Sequence, residues 1–231
     1  MSGGQLGPPS PGRGWTAGDA ARQLVQRHVA AVAETLPQIE RESDRLARWA
    51  RVLAATLERG GRLLAAGNGG SAAQAQHLTA ELVGRYQDER RPFSAIVLHG
   101  DASALTALAN DYGAEHIFAR QVSGHGRRGD ILITLSTSGE SPNLLAAVRA
   151  ARSVGMVTWA LTGRPGSRLE RACADALCVP GASVATVQEL HLVAIHVLCE
   201  IFDGVIGGDR VDSSVPDRHQ PATIADVGAD S

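Results

Sequence analysis

The sequence predicts an α/β protein built on a doubly wound, mainly parallel sheet of five strands that is flanked by helices and preceded by a helical arm. Five short apolar runs, each ended by turn-forming residues, recur between residues 62 and 180. Helical patterns of apolar residues separate these runs. Continuous rather than alternating apolar strands, spaced by helices, are typical of a parallel sheet covered on both faces.

Five strands and five helices make up the predicted core. The strands are RLLAAG (62–67), SAIVLHG (94–100), DILITLS (130–136), VTWALTG (157–163) and ALCVP (176–180). The helices are SAAQAQHLTAELVG (71–84), SALTALAN (103–110), SPNLLAAVRAARSVG (141–155), SRLERACA (167–174) and VATVQELHLVAIHVLCEIFDGVI (184–206). Each strand is followed by a helix, as in repeated βαβ units.

A helical arm precedes the core. From Asp19 to Glu58, apolar residues recur near helical spacing, and Pro37 interrupts them. Because proline breaks or bends a helix, we expect two amphipathic helices that meet at an angle. The arm packs either on its own domain or on a neighbouring subunit, and we favour packing in an oligomer.

The chain ends differ in composition from the core. Residues 1–18 are dense in Gly, Pro and Ser, and residues 207–231 are polar without a sustained period. Such segments bury too little apolar area to offset the entropy that is lost on ordering. We therefore expect a disordered leader at 1–18, a single domain at 19–206 with its N-terminal helices at 19–59, and a flexible polar tail at 207–231.

Charge and composition argue against nucleic acid and membrane partners. The 231 residues carry 24 acidic and 22 basic side chains, a formal net charge of -2. Such a chain presents no broad electrostatic surface for a nucleic-acid backbone or an anionic membrane. No apolar run approaches the ~18 residues of a membrane span, and the N-terminus lacks a signal layout. Three cysteines without paired metal spacing fit a reducing compartment, so we expect a cytoplasmic protein.

Two loops of the predicted sheet suit a phosphate group. The first, GNGGS at 67–71, combines glycines that allow close backbone approach with the free N–H groups of the next helix. The second, STSGES at 136–141, places four hydroxyl groups before Pro142 at a helix start. Each loop alone is equally well explained as a turn and a helix cap, and neither matches a nucleotide-binding loop. Their combination at the carboxyl ends of two strands favours an anion site.

Two helices carry polar residues suited to proton transfer or metal binding. His77 and Glu81 lie four residues apart on one helix face, with Cβ atoms about 6 Å apart. In isolation such a pair is more often a surface ion pair. The last helix adds four polar side chains within its apolar run: Gln188, Glu189, His191 and His196. Gln188 and His196 are about 12 Å apart along the axis, so they serve one pocket more readily than one ion. A lone histidine in an apolar helix is more often a core residue, and only the combination favours function.

Four segments together resemble one known family. They are GNGGSAAQAQHLTAELVGRY, AIVLHGDASALTALANDYGAEHIFARQV, GDILITLSTSGESPNLLAAVRAARSVGM and VQELHLVAIHVLCEIFD, within residues 20–205. They resemble the phosphoheptose isomerases of the sugar isomerase (SIS) domain superfamily, whose fold is flavodoxin-like. The resemblance implies an isomerase that interconverts sedoheptulose 7-phosphate and D-glycero-D-manno-heptose 7-phosphate. It also implies a homotetramer with intersubunit active sites and one zinc ion per subunit.

The resemblance implies roles for individual residues. The substrate-binding positions are Asn68, Gly69, Gly70, Ser71, Arg85, Asp111, Ser136, Thr137, Ser138, Ser141 and Gln188. The metal-ligand positions are His77, Glu81, Gln188 and His196, and Glu81 with His196 forms the catalytic acid–base pair. We expect Glu81 to move the carbon-bound proton through an enediol, and His196 of a neighbouring subunit to move the oxygen-bound proton. Ala185 departs from the family, in which an aspartate is common three residues before the glutamine.

Non-catalytic SIS proteins are the alternative. Some of them bind the bacterial replication initiator, and others would sense sugar phosphates without turnover. The initiator-binding relatives share much of the glycine and serine framework, but they lack an acid at the position of Glu81 and a histidine at that of His196. Both residues are present here, which favours the enzyme.

Overall fold

Five strands form one parallel sheet. The structure is a computed structural model that describes residues 17–207. Its strands are β1 (Leu63–Gly67), β2 (Ala95–Val97), β3 (Ile131–Ser136), β4 (Val157–Thr162) and β5 (Asp175–Cys178). They are ordered β2-β1-β3-β4-β5, and every neighbouring pair is parallel. The predicted fold class is confirmed, because this is a doubly wound order that changes direction between β1 and β3.

Helices surround the sheet. Within residues 17–207 they are α1 (Ala17–Thr35), α2 (Pro37–Arg41), α3 (Ser43–Glu58), α4 (Gly70–Val83), α5 (Ala102–Tyr112), α6 (Ile117–His125), α7 (Pro142–Val154), α8 (Arg168–Ala172) and α9 (Val184–Ile206). A short 3-10 helix (Ala114–His116) leads into α6. The predicted bounds of α9 are met, and α4, α5, α7 and α8 match their predictions to within a turn. None of these helices combines the length and the apolar character needed to cross a membrane.

The arm and α6 differ from the predictions. The arm contains three helices rather than two, because Pro37 begins α2 and the dihedral angles of Glu42 leave the helical region before α3. Helix α6 is absent from the predictions. Ser123 and Gly124 occupy its last turn, and both dilute the helical pattern because they are poorer helix formers than alanine or leucine.

The chain ends are described only in part. Helix α1 begins at Ala17, so Ala17 and Gly18 are helical and do not belong to the predicted leader. The rest of the leader, residues 1–16, lies outside the described residues, as does the predicted tail from residue 208 to residue 231. The predicted domain bounds at 19 and 206 stay a prediction.

The sheet is covered on both faces, as the continuous apolar strands predict. All five residues of β1 are buried, and the first four alternate between two apolar clusters. Leu63 and Ala65 pack with residues of α3, α4 and α9, whereas Leu64 and Ala66 pack with residues of α6 and α7. Helices α4 and α7 therefore leave the sheet on opposite faces, and they do so from neighbouring strands.

The arm joins the core through α3. Trp49 stacks on Trp159 of β4, with ring centroids 4.7 Å apart and planes inclined by 1°. The Trp49 Nε1–H also donates to Asp175 Oδ2 at 2.9 Å. Helix α1 instead leaves three apolar side chains more than half exposed: Leu24, Val25 and Val29. The arm thus packs on its own domain through α3, while α1 keeps an apolar surface uncovered in the single chain.

Candidate active site

The two predicted phosphate loops lie side by side at the carboxyl edge of the sheet. β1 and β3 are neighbours, and Gly67 near the end of one lies opposite Leu135 of the other. The loop after β1 leads into α4, and the loop after β3 leads into α7. Ligands of doubly wound folds bind where the strand order changes direction, which is between these two strands. The N-termini of α4 and α7, whose helix dipoles favour an anion, therefore lie at this edge of the sheet.

Glycines shape the first loop. Gly69 has a φ of +55°, a value that residues with a side chain rarely adopt. A Cβ at Gly67 would lie 2.4 Å from the Ser71 carbonyl oxygen, and one at Gly70 would lie 2.6 Å from Gln188 Nε2. The backbone therefore passes close to α9, and Gln188 covers the start of α4. Ser71 is 3% exposed and Gly67 is buried as well, so the two ends of the loop are buried and its middle is exposed.

Hydroxyl groups cluster in the second loop. Ser136 Oγ lies 3.4 Å from Ser138 Oγ and 3.3 Å from Ser141 Oγ. The backbone N–H of Gly139 donates to Ser136 Oγ at 3.1 Å, and that of Glu140 donates to Ser138 Oγ at 3.2 Å. A hydroxyl group that accepts from the backbone still has its own hydrogen to donate. The hydroxyl groups are therefore uncharged donors suited to phosphate oxygens. The Glu140 carboxylate of the same loop accepts instead from the Arg168 N–H at 2.9 Å.

A pair of asparagines joins the two loops. Asn68 Nδ2 donates to Asn143 Oδ1 at 3.1 Å, and Asn143 Nδ2 donates to Asn68 Oδ1 at 2.9 Å. Asn143 Oδ1 also accepts from the Leu144 N–H at 2.9 Å. Ser141 precedes α7 but makes no side-chain capping bond, which leaves its hydroxyl group to the cluster. Asn143 is not among the predicted site residues, because SPN is also an ordinary helix start.

Three side chains meet between α4 and α9. His77 Nε2 lies 2.9 Å from His196 Nε2 and 3.2 Å from Glu81 Oε1. Each of these atoms can bear a lone pair, and a single shared hydrogen does not satisfy all three. The cluster is therefore suited to proton transfer or to a cation. The Tyr86 ring lies 5.7 Å from the His196 ring, and no spacing in the sequence indicates this neighbour.

His196 of the same chain completes the cluster. Helices α4 and α9 pack against each other in one chain, with Gln188 beside Gly70 at one end and His196 beside His77 further along. The expectation that His196 comes from a neighbouring subunit is therefore corrected for this contact. Periodicity places a residue on a helix face, but it does not say which helix that face meets.

Arg90 fixes the carboxyl end of α4, on which Glu81 lies. Its Nη2 donates to Glu81 O at 2.6 Å, and its Nη1 donates to Leu82 O at 3.1 Å and to Gly84 O at 3.3 Å. Its Nε donates to Asp203 Oδ1 of α9 at 2.7 Å. The last carbonyl groups of a helix lack donors within the helix. The buried guanidinium group of Arg90 donates hydrogen bonds to them. Sequence reasoning missed Arg90, which lies in the irregular segment after α4.

The predicted zinc ligands are brought together only in part. Gln188 lies beside Gly70 and His196 beside His77, with about 12 Å of α9 between the glutamine and the histidine. Histidine nitrogens and carboxylate oxygens are ligands that zinc takes from proteins, so His77, Glu81 and His196 fit this metal chemically. Among the described residues of one chain, however, no group of three or more His, Cys, Asp or Glu side chains is arranged to hold a metal ion. Zinc binding stays a prediction.

The remaining predicted substrate-binding residues are Thr137, Arg85 and Asp111. Thr137 is half-buried within the second loop. Arg85 follows α4, and its Nη1 donates to Gln87 O at 2.7 Å. Asp111 is exposed near the end of α5, where it accepts from Asn110 Nδ2 at 2.8 Å. The principal neighbours of α5 are the 3-10 helix and α6, so one chain does not bring Asp111 into the two loops.

The other polar residues of α9 are structural. His191 is fully buried, and its Nε2 donates to Thr162 O at 3.0 Å. Burial lowers the pKa of His191 to about 4, so the ring is neutral near pH 7. Glu189 Oε1 lies 2.7 Å from His28 Nε2 of α1. Both side chains tie α9 to its surroundings, and neither joins the cluster around His77.

Known proteins share this fold and these motifs. The SIS domain family matches residues 27–163. A phosphoheptose isomerase from Streptomyces coelicolor is 63% identical over 159 residues, which are 69% of each chain. Another from Bradyrhizobium sp. strain ORS 278 is 43% identical over 194 residues, 83% of this chain and 98% of that protein. The solved structure of a phosphoheptose isomerase from Neisseria gonorrhoeae matches with a TM-score of 0.74 at 38% identity, covering 80% of this chain and 99% of that one. This chain belongs to the phosphoheptose isomerase family of SIS domain proteins.

Proposed function

We propose that this protein interconverts sedoheptulose 7-phosphate and D-glycero-D-manno-heptose 7-phosphate. Membership of the family makes the chain a sugar phosphate isomerase. The observation that carries the specific proposal is the contact of His77 with Glu81 and with His196. His77 and Glu81 lie on α4, the helix that begins at the first phosphate loop, and His196 lies on α9. An acid, a base and an anion site are the parts that an aldose–ketose isomerase of sugar phosphates needs.

The substrate phosphate binds between the two loops. The hydroxyl groups of Ser71, Ser136, Ser138 and Ser141 donate to its oxygens, and the dipoles of α4 and α7 at their N-termini favour its negative charge. His77 lies seven residues along α4 from Gly70, which is about 10 Å of helix. A long-chain sugar phosphate spans such a distance, and a triose phosphate does not. Binding energy from the remote phosphate thus holds the reacting carbons near Glu81.

Glu81 and His196 share the proton transfers. In the aldose-to-ketose direction, Glu81 removes the proton from C2 and returns it to C1 of the enediol. His196 accepts the proton of the C2 hydroxyl group and supplies one to the C1 oxygen, so no oxidant or reductant is required. His77 orients the His196 ring through their 2.9 Å contact. Each positioned acid or base of this kind contributes about 10²–10⁴-fold to the rate.

Zinc is the metal we propose for this cluster. His77, Glu81 and His196 would hold it, with Gln188 as the predicted fourth ligand. When bound, it would supply Lewis-acid polarisation of the substrate oxygens.

We also propose a cytoplasmic homotetramer with active sites between subunits. Asn68, Gly69 and Gly70 are exposed in the single chain, although a phosphate site works best when water is excluded. No residue of α5 is buried in the described chain, and α1 leaves an apolar surface uncovered. A neighbouring subunit would cover these surfaces and bring further groups to the loops. The three cysteines of the described chain are free thiols, which suits a reducing compartment.

The first experiment incubates the purified protein with sedoheptulose 7-phosphate and follows the anomeric proton signals by NMR. We expect a new aldoheptose 7-phosphate signal that disappears when a chelator removes the metal and returns when zinc is added. Folding is checked in each sample by circular dichroism. Because the product is identified directly, the result does not depend on a coupling enzyme.

Binding without conversion is the outcome that favours the alternative. A non-catalytic SIS protein would bind the sugar phosphate in calorimetry yet form no product from the folded, zinc-loaded protein. An initiator-binding protein would retain its partner when Glu81 or His196 is replaced. Absence of conversion by the unaltered, folded and zinc-loaded protein, together with partner capture that survives these substitutions, would overturn the isomerase proposal.

A further inference from the structure

A reciprocal amide pair connects the two loops of the candidate site. Asn68 and Asn143 are 75 positions apart in the chain, yet their carboxamides exchange two hydrogen bonds, at 3.1 and 2.9 Å. Each carboxamide uses one N–H and one oxygen lone pair in this exchange. Asn68 keeps one of each, whereas Asn143 Oδ1 also accepts from the Leu144 N–H. Asn68 is exposed at the open side of the loop. Its remaining N–H and lone pair are therefore available to a ligand.

The orientation of the pair is set from α7. The Leu144 N–H donates to Asn143 Oδ1 at 2.9 Å, and a carboxamide nitrogen in that place could not accept this hydrogen. Asn143 therefore turns its Nδ2 toward Asn68, which in turn must present Oδ1 to that nitrogen. The Leu144 N–H thus fixes which atom of each carboxamide is the oxygen and which is the nitrogen.

We propose that Asn143 is a positioning residue that holds the Asn68 carboxamide in the orientation in which it meets the substrate. This inference rests on the proposed function, in which Asn68 makes a polar contact with the sugar. An exposed asparagine without a partner samples several rotamers, and binding must then immobilise it. Asn143 removes that cost before the substrate arrives, and it does so without touching the substrate.

A double-mutant cycle tests the proposal. The variants are Asn143→Ala, Asn68→Ala and the combination of the two. We expect Asn143→Ala to raise the Kd and the KM for sedoheptulose 7-phosphate roughly fivefold, with kcat within about twofold. In the Asn68→Ala background the same substitution should change Kd by less than about twofold, because the group that it positions is gone.

A matched control and a second variant complete the design. Ser153→Ala removes an exposed hydroxyl group of the same helix, whose bond is to Arg149 O at 3.1 Å, and it should leave Kd and KM unchanged. Asn143→Asp keeps the oxygen that accepts from the Leu144 N–H but loses the donor to Asn68. It replaces Asn143→Ala in the cycle if the alanine variant does not fold.

The outcomes distinguish this proposal from the proposed function. The positioning role would be overturned if Asn143→Ala raised the Kd by the same factor in the unaltered protein and in the Asn68→Ala variant. Asn143 would then act through another group. If the unaltered protein binds the sugar phosphate without converting it, the isomerase proposal fails. The cycle of Kd values would then still decide whether Asn143 acts through Asn68.

Discussion

Glu81 is the residue on which the proposed chemistry depends. Glu81→Gln keeps the size of the side chain and removes its ability to take up a proton. We expect kcat to fall by about 10²–10⁴-fold, while the Kd for sedoheptulose 7-phosphate stays within about threefold. Turnover is measured by NMR and binding by calorimetry. Glu58→Gln, at the exposed end of α3, is the matched control, and a Glu81→Gln variant with normal kcat would remove Glu81 from the role of base.

His191 makes the stability of the fold depend on pH. Burial lowers its pKa to about 4, whereas the unfolded value is about 6.5. The unfolded state therefore binds more protons than the native state between these two values. The contribution of neutral His191 to the free energy of unfolding is fully present above about pH 6.5, and it is lost as the pH drops toward about 4. The free energy of unfolding lost across that window is about 3 kcal/mol.

The variant His191→Gln isolates this contribution. Glutamine keeps an N–H that can donate to Thr162 O but has no ring nitrogen to protonate. In urea unfolding we expect the difference in stability between pH 7 and pH 5 to shrink relative to the unaltered protein. His125→Gln replaces an exposed histidine at the end of α6 and should leave that difference as it was. A His191→Gln variant with the original pH dependence would assign the effect to other groups.

At the scale of the elements, Arg90 joins the end of α4 to α9. Arg90→Met keeps much of the apolar stem, but it removes the Arg90 donor from four carbonyl oxygens and leaves the largely buried Asp203 carboxylate without its partner. Breaking a buried ion pair in this way costs about 3–5 kcal/mol of stability. We expect the loss in urea unfolding, with faster amide hydrogen exchange at residues 81–84.

The neighbouring arginine supplies the control for Arg90. Arg91 is exposed, and its guanidinium group lies 4.8 Å from the Phe93 ring centroid. Arg91→Met should therefore cost less than about 1 kcal/mol. If Arg90→Met were equally mild, the carbonyl groups at the end of α4 would have to find other partners, and Arg90 would not hold Glu81 in place.

The sequence allowed the elements of the site to be predicted better than the connections between them. Helix α9 has a strong pattern, and its predicted bounds agree with the structure. The two loops follow directly from strand ends and turn-forming residues. Arg90 and Asn143 have no such local signal, because their roles depend on partners 113 and 75 positions away. Contacts of that kind come from tertiary packing, which periodicity does not describe.

At the scale of the whole molecule, strand order decides what the site contains. A sequence of βαβ units predicts parallel strands, but it does not fix which strands are neighbours. The pairing of β1 with β3 is what brings the GNGGS and STSGES loops together. The packing of α9 on α4 likewise brings His196 to His77 within one chain. The motifs of the sequence indicated the two loops and the polar helix residues, and the strand order and helix packing bring them together in one site.

The proposed assembly predicts a role for the uncovered surface of α1. Val25 is 63% exposed there, and a charge placed at that position would have to be buried in a subunit interface, at a cost of several kcal/mol. We expect Val25→Glu to shift the protein from tetramers to smaller species in sedimentation velocity, with a parallel loss of isomerase activity. Gln23→Glu adds the same charge on the opposite side of the helix by its spacing, and it should leave the assembly intact. A Val25→Glu protein that remains fully tetrameric and active would show that this surface of α1 lies outside the subunit interface.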